Sequence, residues 1–341
     1  MIHAQRRTER ADVVLTRTLI PPEWSLHAAT WLQWPKGEEK RHERTFSEIV
    51  KALAPSEYVR LIVSDESVES SARAVLAEAD VPTDNVRVHR VPTDWCWCRD
   101  NGPLFAFDSQ GIFVIDWLFT GWLETKSYRN DDLVPVRVAQ MLGKRVVSYQ
   151  MVVEGGALEF NGAGMVIASR PCLRDRNRSM TDAEIEAALK EALGAERIVW
   201  LERFEKDDFT KGHPDSIARF ADATTVIVGE VVNRDDSESL VYEDAAARVA
   251  RAGLKVRRMP LPGRITYNGR QMLANYLNWY IANGSILVGT FDRADWDSAA
   301  LAFVADLSRE FWGGRKVAGI EIKELWADGG GIHCVTQQEP C

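Results

Sequence analysis

Four short segments of the chain combine glycine with reactive or charged side chains. They are Asp94-Trp-Cys-Trp-Cys-Arg-Asp-Asn-Gly-Pro103, Val153-Glu-Gly-Gly156, Lys211-Gly-His-Pro-Asp-Ser216 and Asp328-Gly-Gly-Gly-Ile-His-Cys-Val-Thr-Gln-Gln-Glu-Pro340. Glycine permits tight turns and close approach of backbone to a ligand, so reactive residues beside it are well placed for an active site at strand ends. Cys334 is the candidate nucleophile. A thiol attacks as thiolate, so its ordinary pKa near about 8.5 has to be lowered or masked by a neighbouring cation. His333 adjoins Cys334, but a turn running into a strand points adjacent side chains to opposite faces, which makes His333 a poor partner. His213 is the better one. Pro214 biases His213 toward extended backbone, and residues two apart in extended chain share a face, so His213 and Asp215 can serve one pocket.

The carboxylates suggest a cationic substrate. Asp100 follows Arg99 in a stretch made apolar by Trp95, Cys96, Trp97 and Cys98, and Asn101-Gly-Pro turns the chain directly after it. A carboxylate in such a desolvated, aromatic-walled turn suits a planar cation, which stacks on tryptophan and donates two parallel hydrogen bonds to a carboxylate. Trp34, Trp95, Trp97 and Arg99 are therefore candidate substrate contacts, with Trp31, Trp122 and Trp279 as further possible pocket walls. Glu154, before a glycine pair, can orient a histidine. The bland alternatives are a buried structural cysteine, a turn histidine, capping carboxylates and a surface Arg-Asp pair. Their recurrence beside four glycine turns favours the chemical reading. Cys96 and Cys98 lack a second Cys or His pair at the spacing a zinc site needs, so no metal is expected.

Elements that could position these residues recur along the chain. Runs rich in Val, Ile, Phe and Trp, bounded by turn residues, predict strands at 29–34, 58–64, 86–91, 104–107, 112–117, 145–153, 164–168, 197–201, 224–228, 254–259, 285–290 and 316–322. Helical spacing predicts helices at 43–54, 68–79, 181–193, 244–252 and 298–311, the third opening on the capping-box pattern Thr-Asp-Ala-Glu. The order is β, β, α, β repeated about every 60 residues, with no Gly-, Pro- or Ser-rich linker. This predicts one composite α/β domain over residues 21–341 after an N-terminal extension at 1–20.

Composition sets the remaining bounds. The chain has 341 residues, 45% hydrophobic and 27% charged, with a formal net charge of -8. An acidic balance argues against a nucleic-acid partner and suits a cationic one. No apolar run is long enough for a transmembrane helix, and no apolar segment follows the basic start as a secretory signal would require. Five cysteines at irregular spacing predict free thiols in a reducing cytoplasm.

Taken together, these motifs resemble the agmatine deiminase and bacterial-type peptidylarginine deiminase family of guanidine-modifying enzymes. The likeness runs nearly end to end, from Pro21-Pro-Glu-Trp-Ser-Leu-His-Ala-Ala-Thr-Trp-Leu-Gln-Trp-Pro35 through Trp97-Cys-Arg-Asp-Asn-Gly-Pro103, Glu154-Gly-Gly156 and Gly212-His-Pro-Asp215. It continues through Asn275-Tyr-Leu-Asn-Trp-Tyr-Ile-Ala-Asn-Gly284 to Gly329-Gly-Gly-Ile-His-Cys-Val-Thr-Gln-Gln-Glu-Pro340. The resemblance implies a five-bladed α/β propeller (pentein) of ββαβ repeats with a central site. It implies Cys334 as nucleophile, His213 as general acid and base, Asp100 and Asp215 as guanidinium ligands, and Glu154 as the group orienting His213. The expected reaction is hydrolysis of a small guanidino compound to a ureido product and ammonia, as in polyamine biosynthesis, without cofactor, by a homodimer. Agmatine is the leading substrate. Arginine, a methylated arginine, peptidyl-arginine, another guanidino compound, amidino transfer and a non-catalytic binding module are the alternatives. Three departures bear on the substrate: Gly331 where the family usually has Asn, Phe119-Thr-Gly-Trp-Leu-Glu-Thr-Lys126 in place of Phe-Asn-Ala-Trp-Gly-Gly-Lys, and Lys211 two residues before His213. A lysine in the pocket would repel an ammonium or meet a carboxylate.

Overall fold

The computed structural model describes residues 17–341. Residues 1–16 of the expected N-terminal extension lie outside the described residues. At its end, Leu19 bridges Phe107 and Ile20 is buried, so residues 19 and 20 are part of the folded body.

The helices form where their caps and apolar faces direct. Glu43–Leu53 buries Phe46, Ile49, Val50 and Leu53 on one face. Asp65 caps Glu66–Glu78 by accepting from the amides of Ser67 and Val68, and Thr181 and Glu184 close the expected capping box on Asp182–Leu193. Ser239–Arg251 and Ala294–Phe311 both begin several residues earlier than the apolar spacing suggests. Two further helices, Val134–Leu142 and Arg170–Arg176, carry proline in their first turn, where a missing N–H costs nothing. A hairpin of Arg264–Tyr267 and Arg270–Leu273 turns at Asn268-Gly269, both with positive φ. The Asn-Gly pair is a strong hairpin signal that strand periodicity alone does not reveal.

Apart from that hairpin, the strands of the described residues fall into five mixed sheets with one shared pattern. A first strand pairs antiparallel with a second, and a third returns parallel to the second after a helix. The sheets are Leu104–Asp108, Gly111–Leu118 and Arg145–Val152; Leu158–Phe160, Met165–Ser169 and Arg197–Leu201; Ala218–Phe220, Thr225–Val231 and Lys255–Leu261; and Tyr280–Ile281, Ser285–Thr290 and Lys316–Glu321. The fifth joins the two ends of the chain. Thr336–Pro340 pairs antiparallel with His27–Gln33, placing Thr336 opposite Leu32, and Tyr58–Val63 and Val86–Arg90 extend it in parallel. The expected β, β, α, β alternation is this unit. A parallel partner cannot be reached by a tight turn, and a helix supplies the crossover. No helix among the described residues is long and apolar enough to cross a membrane.

Candidate active site

Each sheet's first strand is preceded by a turn, and each of the five turns carries a polar side chain of the site. Asp100 precedes Leu104–Asp108, Glu154 precedes Leu158–Phe160, and His213 with Asp215 precedes Ala218–Phe220. Asn278 precedes Tyr280–Ile281, and Cys334 precedes Thr336–Pro340. The repeated unit therefore offers one equivalent position five times, and a different side chain fills each.

Cys334 lies in a 3-10 turn, His333–Val335, rather than on a strand. Asn278 meets it with both ends of its amide: Nδ2 donates to Sγ at 3.3 Å, while Oδ1 accepts from the backbone of His333 at 3.0 Å. Gly331 leaves the room for this contact, because a Cβ there would stand 2.6 Å from Asn278 Oδ1. Asp215 Oδ2 is 3.5 Å from the sulfur. Burial, followed by the charges of Asp215 and Asp100, pushes the Cys334 thiol well above its ordinary pKa. No cation among the described residues pairs with the sulfur, so it rests as a thiol.

His213 is the counterpart. Its Nε2 is 2.9 Å from Glu154 Oε2, and its Nδ1 is 3.6 Å from Asp100 Oδ1. Burial alone would lower its pKa; Asp100, Cys172 and Glu154 outweigh that and hold it well above the ordinary value, which keeps the ring a cation. Glu154 is itself clamped by Arg176, with bonds of 2.7 and 3.1 Å to its two oxygens. Burial opposes ionisation of Glu154, but His213 and Arg176 win and lower its pKa. Glu154, Cys172 and His213 bring ligand-type atoms within 4.8 Å of one another, and the Arg176 cation fills the charge role a metal would take there.

Asp100 is held from two sides. Trp122 Nε1 donates to Oδ2 at 2.8 Å and the Gly156 amide to Oδ1 at 3.0 Å. Gly156 has to lack a side chain, since a Cβ would come within 2.5 Å of His213 Nδ1. Burial, opposed by His213, pushes Asp100 up to about 6. Asp215 goes the other way. Burial raises it, but His333, whose Nδ1 lies 2.9 Å away, holds it below the usual carboxylate range.

His213, Asp215 and Cys334 line one cleft of about 960 Å3, open mouth included, with Phe209, Met272 and Trp326 on its walls. Asp100 stands just behind His213, and its charge acts on both His213 and Cys334. Of the aromatic and arginine candidates, Trp34, Trp95 and Arg99 do not line the cleft, while Trp122 bonds Asp100. Trp34 is buried in the core and donates to Glu43, and Trp95 donates to the Ser127 carbonyl with Lys126 over its ring at 4.3 Å. Trp97 packs on Gly330, close to the nucleophile. Arg99 is turned inward to Gln338 Oε1 at 2.9 Å and Glu23 Oε2 at 3.4 Å. Lys211 pairs with Asp175 at 2.6 Å and is not part of the cleft wall. Cys96 donates to Glu39 and sits in a different apolar cluster from Cys98, so the two do not form a ligand pair.

A family model described as Porphyromonas-type peptidyl-arginine deiminase matches residues 19–340. The chain belongs to this family. It is 30% identical over 361 residues to an agmatine deiminase of Pseudomonas aeruginosa (strain LESB58), with 94% of this chain and 95% of that protein covered. An agmatine deiminase of Ectopseudomonas mendocina (strain ymp) is 29% identical with the same coverage. Among solved structures, a C. jejuni agmatine deiminase variant with substrate bound superposes with a TM-score of 0.85 at 23% identity, over 97% of this chain and 98% of that one. A putative arginine deiminase from Porphyromonas gingivalis gives 0.81 at 26% identity, over 95% and 98%.

Asn278, His333, Arg176 and Glu23 were not singled out from sequence as site residues. The signal for Asn278 was its place in the 275–284 motif. Glu23 and His333 lay likewise in the 21–35 and 329–340 motifs, while Arg176 carried no signal; the partners of all three are set by other segments of the chain.

Proposed function

We propose that this chain is a deiminase that hydrolyses a small guanidino compound, agmatine first among candidates, to a ureido product and ammonia. The observation that carries this reading is the pairing of a thiol and a histidine cation with two buried carboxylates of separate origin, Asp100 and Asp215, in one site. The names of the relatives support it.

A guanidinium held between Asp215 and Asp100 has its central carbon fixed in front of the Cys334 sulfur. The bound cation offsets the two carboxylate charges that keep Cys334 protonated, so the thiol proton passes to solvent as substrate arrives, His213 being already protonated. The thiolate adds to the guanidinium carbon and gives a tetrahedral adduct. His213, already a cation, protonates the departing ammonia, and the C–N bond breaks to leave an S-alkylthiouronium on Cys334. Neutral His213 then takes a proton from water. The resulting hydroxide equivalent adds to the same carbon, the C–S bond breaks, and the ureido product leaves with the thiol restored. Glu154, fixed by Arg176, keeps the imidazole aimed through both halves. With Lys211 tied to Asp175, the cleft wall among the described residues presents no lysine to a cationic tail, and its arginines are engaged, Arg264 with Asp236 and Arg270 with the Ala327 carbonyl.

The five equivalent turns support a five-bladed propeller with its site at the centre. A homodimer acting in cytoplasmic polyamine biosynthesis completes the reading. Incubation with agmatine, arginine, methylated arginines and guanidino acids tests it: ammonia with N-carbamoylputrescine from agmatine is expected. Ammonia from none of them would overturn the proposal, and a new guanidine in the product would turn it to amidino transfer.

A further inference from the structure

The motif at residues 21–35 includes Glu23, a buried carboxylate that the reaction above does not use. Its two oxygens divide between two supports of the nucleophile. Oε1 takes Arg219 at 3.0 Å and the Ile281 amide at 2.8 Å. Arg219 in turn donates to the carbonyls of Leu277 and Trp279, at 3.0 and 2.8 Å, on either side of Asn278. Oε2 takes His333 Nε2 at 2.8 Å, and the other ring nitrogen of His333 faces Asp215 at 2.9 Å. His333 thus spans two carboxylates, one at each ring nitrogen.

We propose that Glu23 and His333 are positioning residues for the reaction, holding the Asp215 carboxylate at the nucleophile so that it can receive the guanidinium. The inference rests on the role assigned above to Asp215. The chain of contacts runs Glu23, His333, Asp215, Cys334, every member is buried, and Asp215 has the sulfur on its far side. Other charges face this group as well. His213 and Arg219 act on Asp215, Glu159 lies against Arg219 and within reach of His333, and Arg99 approaches Glu23 and the His333 carbonyl. Among them His333 makes the shortest contact with the Asp215 carboxylate. His333 therefore keeps Asp215 ionised and in place, although it adjoins the nucleophile and does not serve it as a base. Glu23 fixes the ring against rotation and ties the N-terminal segment to the C-terminal turn.

The test uses the full chain with agmatine as probe. His333→Leu is expected to raise KM about 10- to 100-fold, the usual range for a lost charge-assisted bond. The acid limb of kcat/KM should steepen from one proton toward two, because Asp215 then titrates beside Asp100. His333→Asn, which keeps an amide N–H donor at the place of Nδ1, should recover part of the loss. Binding of agmatine to the Cys334→Ser protein, with and without His333→Leu, reads the same effect without turnover. If His333→Leu does not fold, Glu23→Gln should give the same steepening in weaker form. An unchanged KM and an acid limb of unchanged shape in a folded variant would overturn the inference while leaving the deiminase reading intact. A parent inactive on every guanidine tested would instead remove the reading itself.

Discussion

The two halves of the site are built on opposite principles. The His213 half carries its own counterions. Asp100 and Glu154 flank the ring, Arg176 locks Glu154, and the imidazole is a cation before any substrate arrives. The Cys334 half has neutral Asn278 and anionic Asp215 beside the sulfur, and it rests as a thiol. On the proposed reaction, the missing charge of the second half is the substrate's own. A protein that had paired Cys334 with a resident cation would hold a reactive thiolate in the absence of substrate.

The loops differ in the same sense. Cys334 is reached through Gly329-Gly-Gly, which lets Trp97 and Asn278 close on the turn. Asp100 is roofed by Trp122, on a run where Gly121, Trp122, Leu123 and Glu124 all have φ between 54 and 66. Left-handed backbone at non-glycine residues costs about 1–2 kcal/mol each, so strain is stored over the carboxylate and not at the nucleophile.

The largest test of this contrast is Cys334→Ala, which should cut turnover by about 10^4-fold or more while the protein keeps its melting temperature. A residual rate near that of the parent would dissolve the distinction between the halves. Glu154→Gln breaks the other half and should cost about 10^2- to 10^4-fold in kcat, as expected for a disturbed general acid. It should also lower stability by about 3–5 kcal/mol by denuding the buried Arg176, an effect measurable by chemical denaturation. Asn278→Ala should slow turnover by roughly 5-fold and retard alkylation of Cys334, since one neutral hydrogen bond is worth about 1 kcal/mol.

The pH profile sharpens the comparison further. On the proposed reaction Asp100 binds the guanidinium as a carboxylate, and burial pushes it up to about 6, so kcat/KM should rise with pH through about 6. On the same reading His213 releases ammonia as the protonated ring, and its raised pKa places the basic limb above the ordinary histidine range. For stability the signs are opposite. Asp215, depressed in the fold, contributes above its ordinary value near about 4 and loses that contribution as pH falls. His213, raised in the fold, contributes fully below about 6.5 and loses it as pH rises through its folded value. The smallest effect belongs to the strained roof: Leu123→Gly should raise stability by about 1 kcal/mol, read as a higher midpoint of denaturation.

Much of this was open to inspection in the chain itself. Cys334, His213, Asp215, Asp100 and Glu154 each lie within three residues of a glycine or proline that has to shape a turn, and local backbone chemistry depends on neighbours in sequence. The β, β, α, β order followed from hydrophobic periodicity for the same reason. Contacts between distant segments could not be read that way. Trp34 and Arg99 have the right residue types for binding a cation, yet the fold spends Trp34 on the core and Arg99 on Glu23 and Gln338. His333 is next to the nucleophile, yet it faces Asp215, 118 residues earlier, because the backbone there turns as a 3-10 helix instead of extending as a strand. The sequence by itself determined which side chains can react and which turns can carry them, since both depend on covalent neighbours. Only the tertiary structure decided which charges face one another, because the five turns belong to five sheets and electrostatic partnership depends on distance in space.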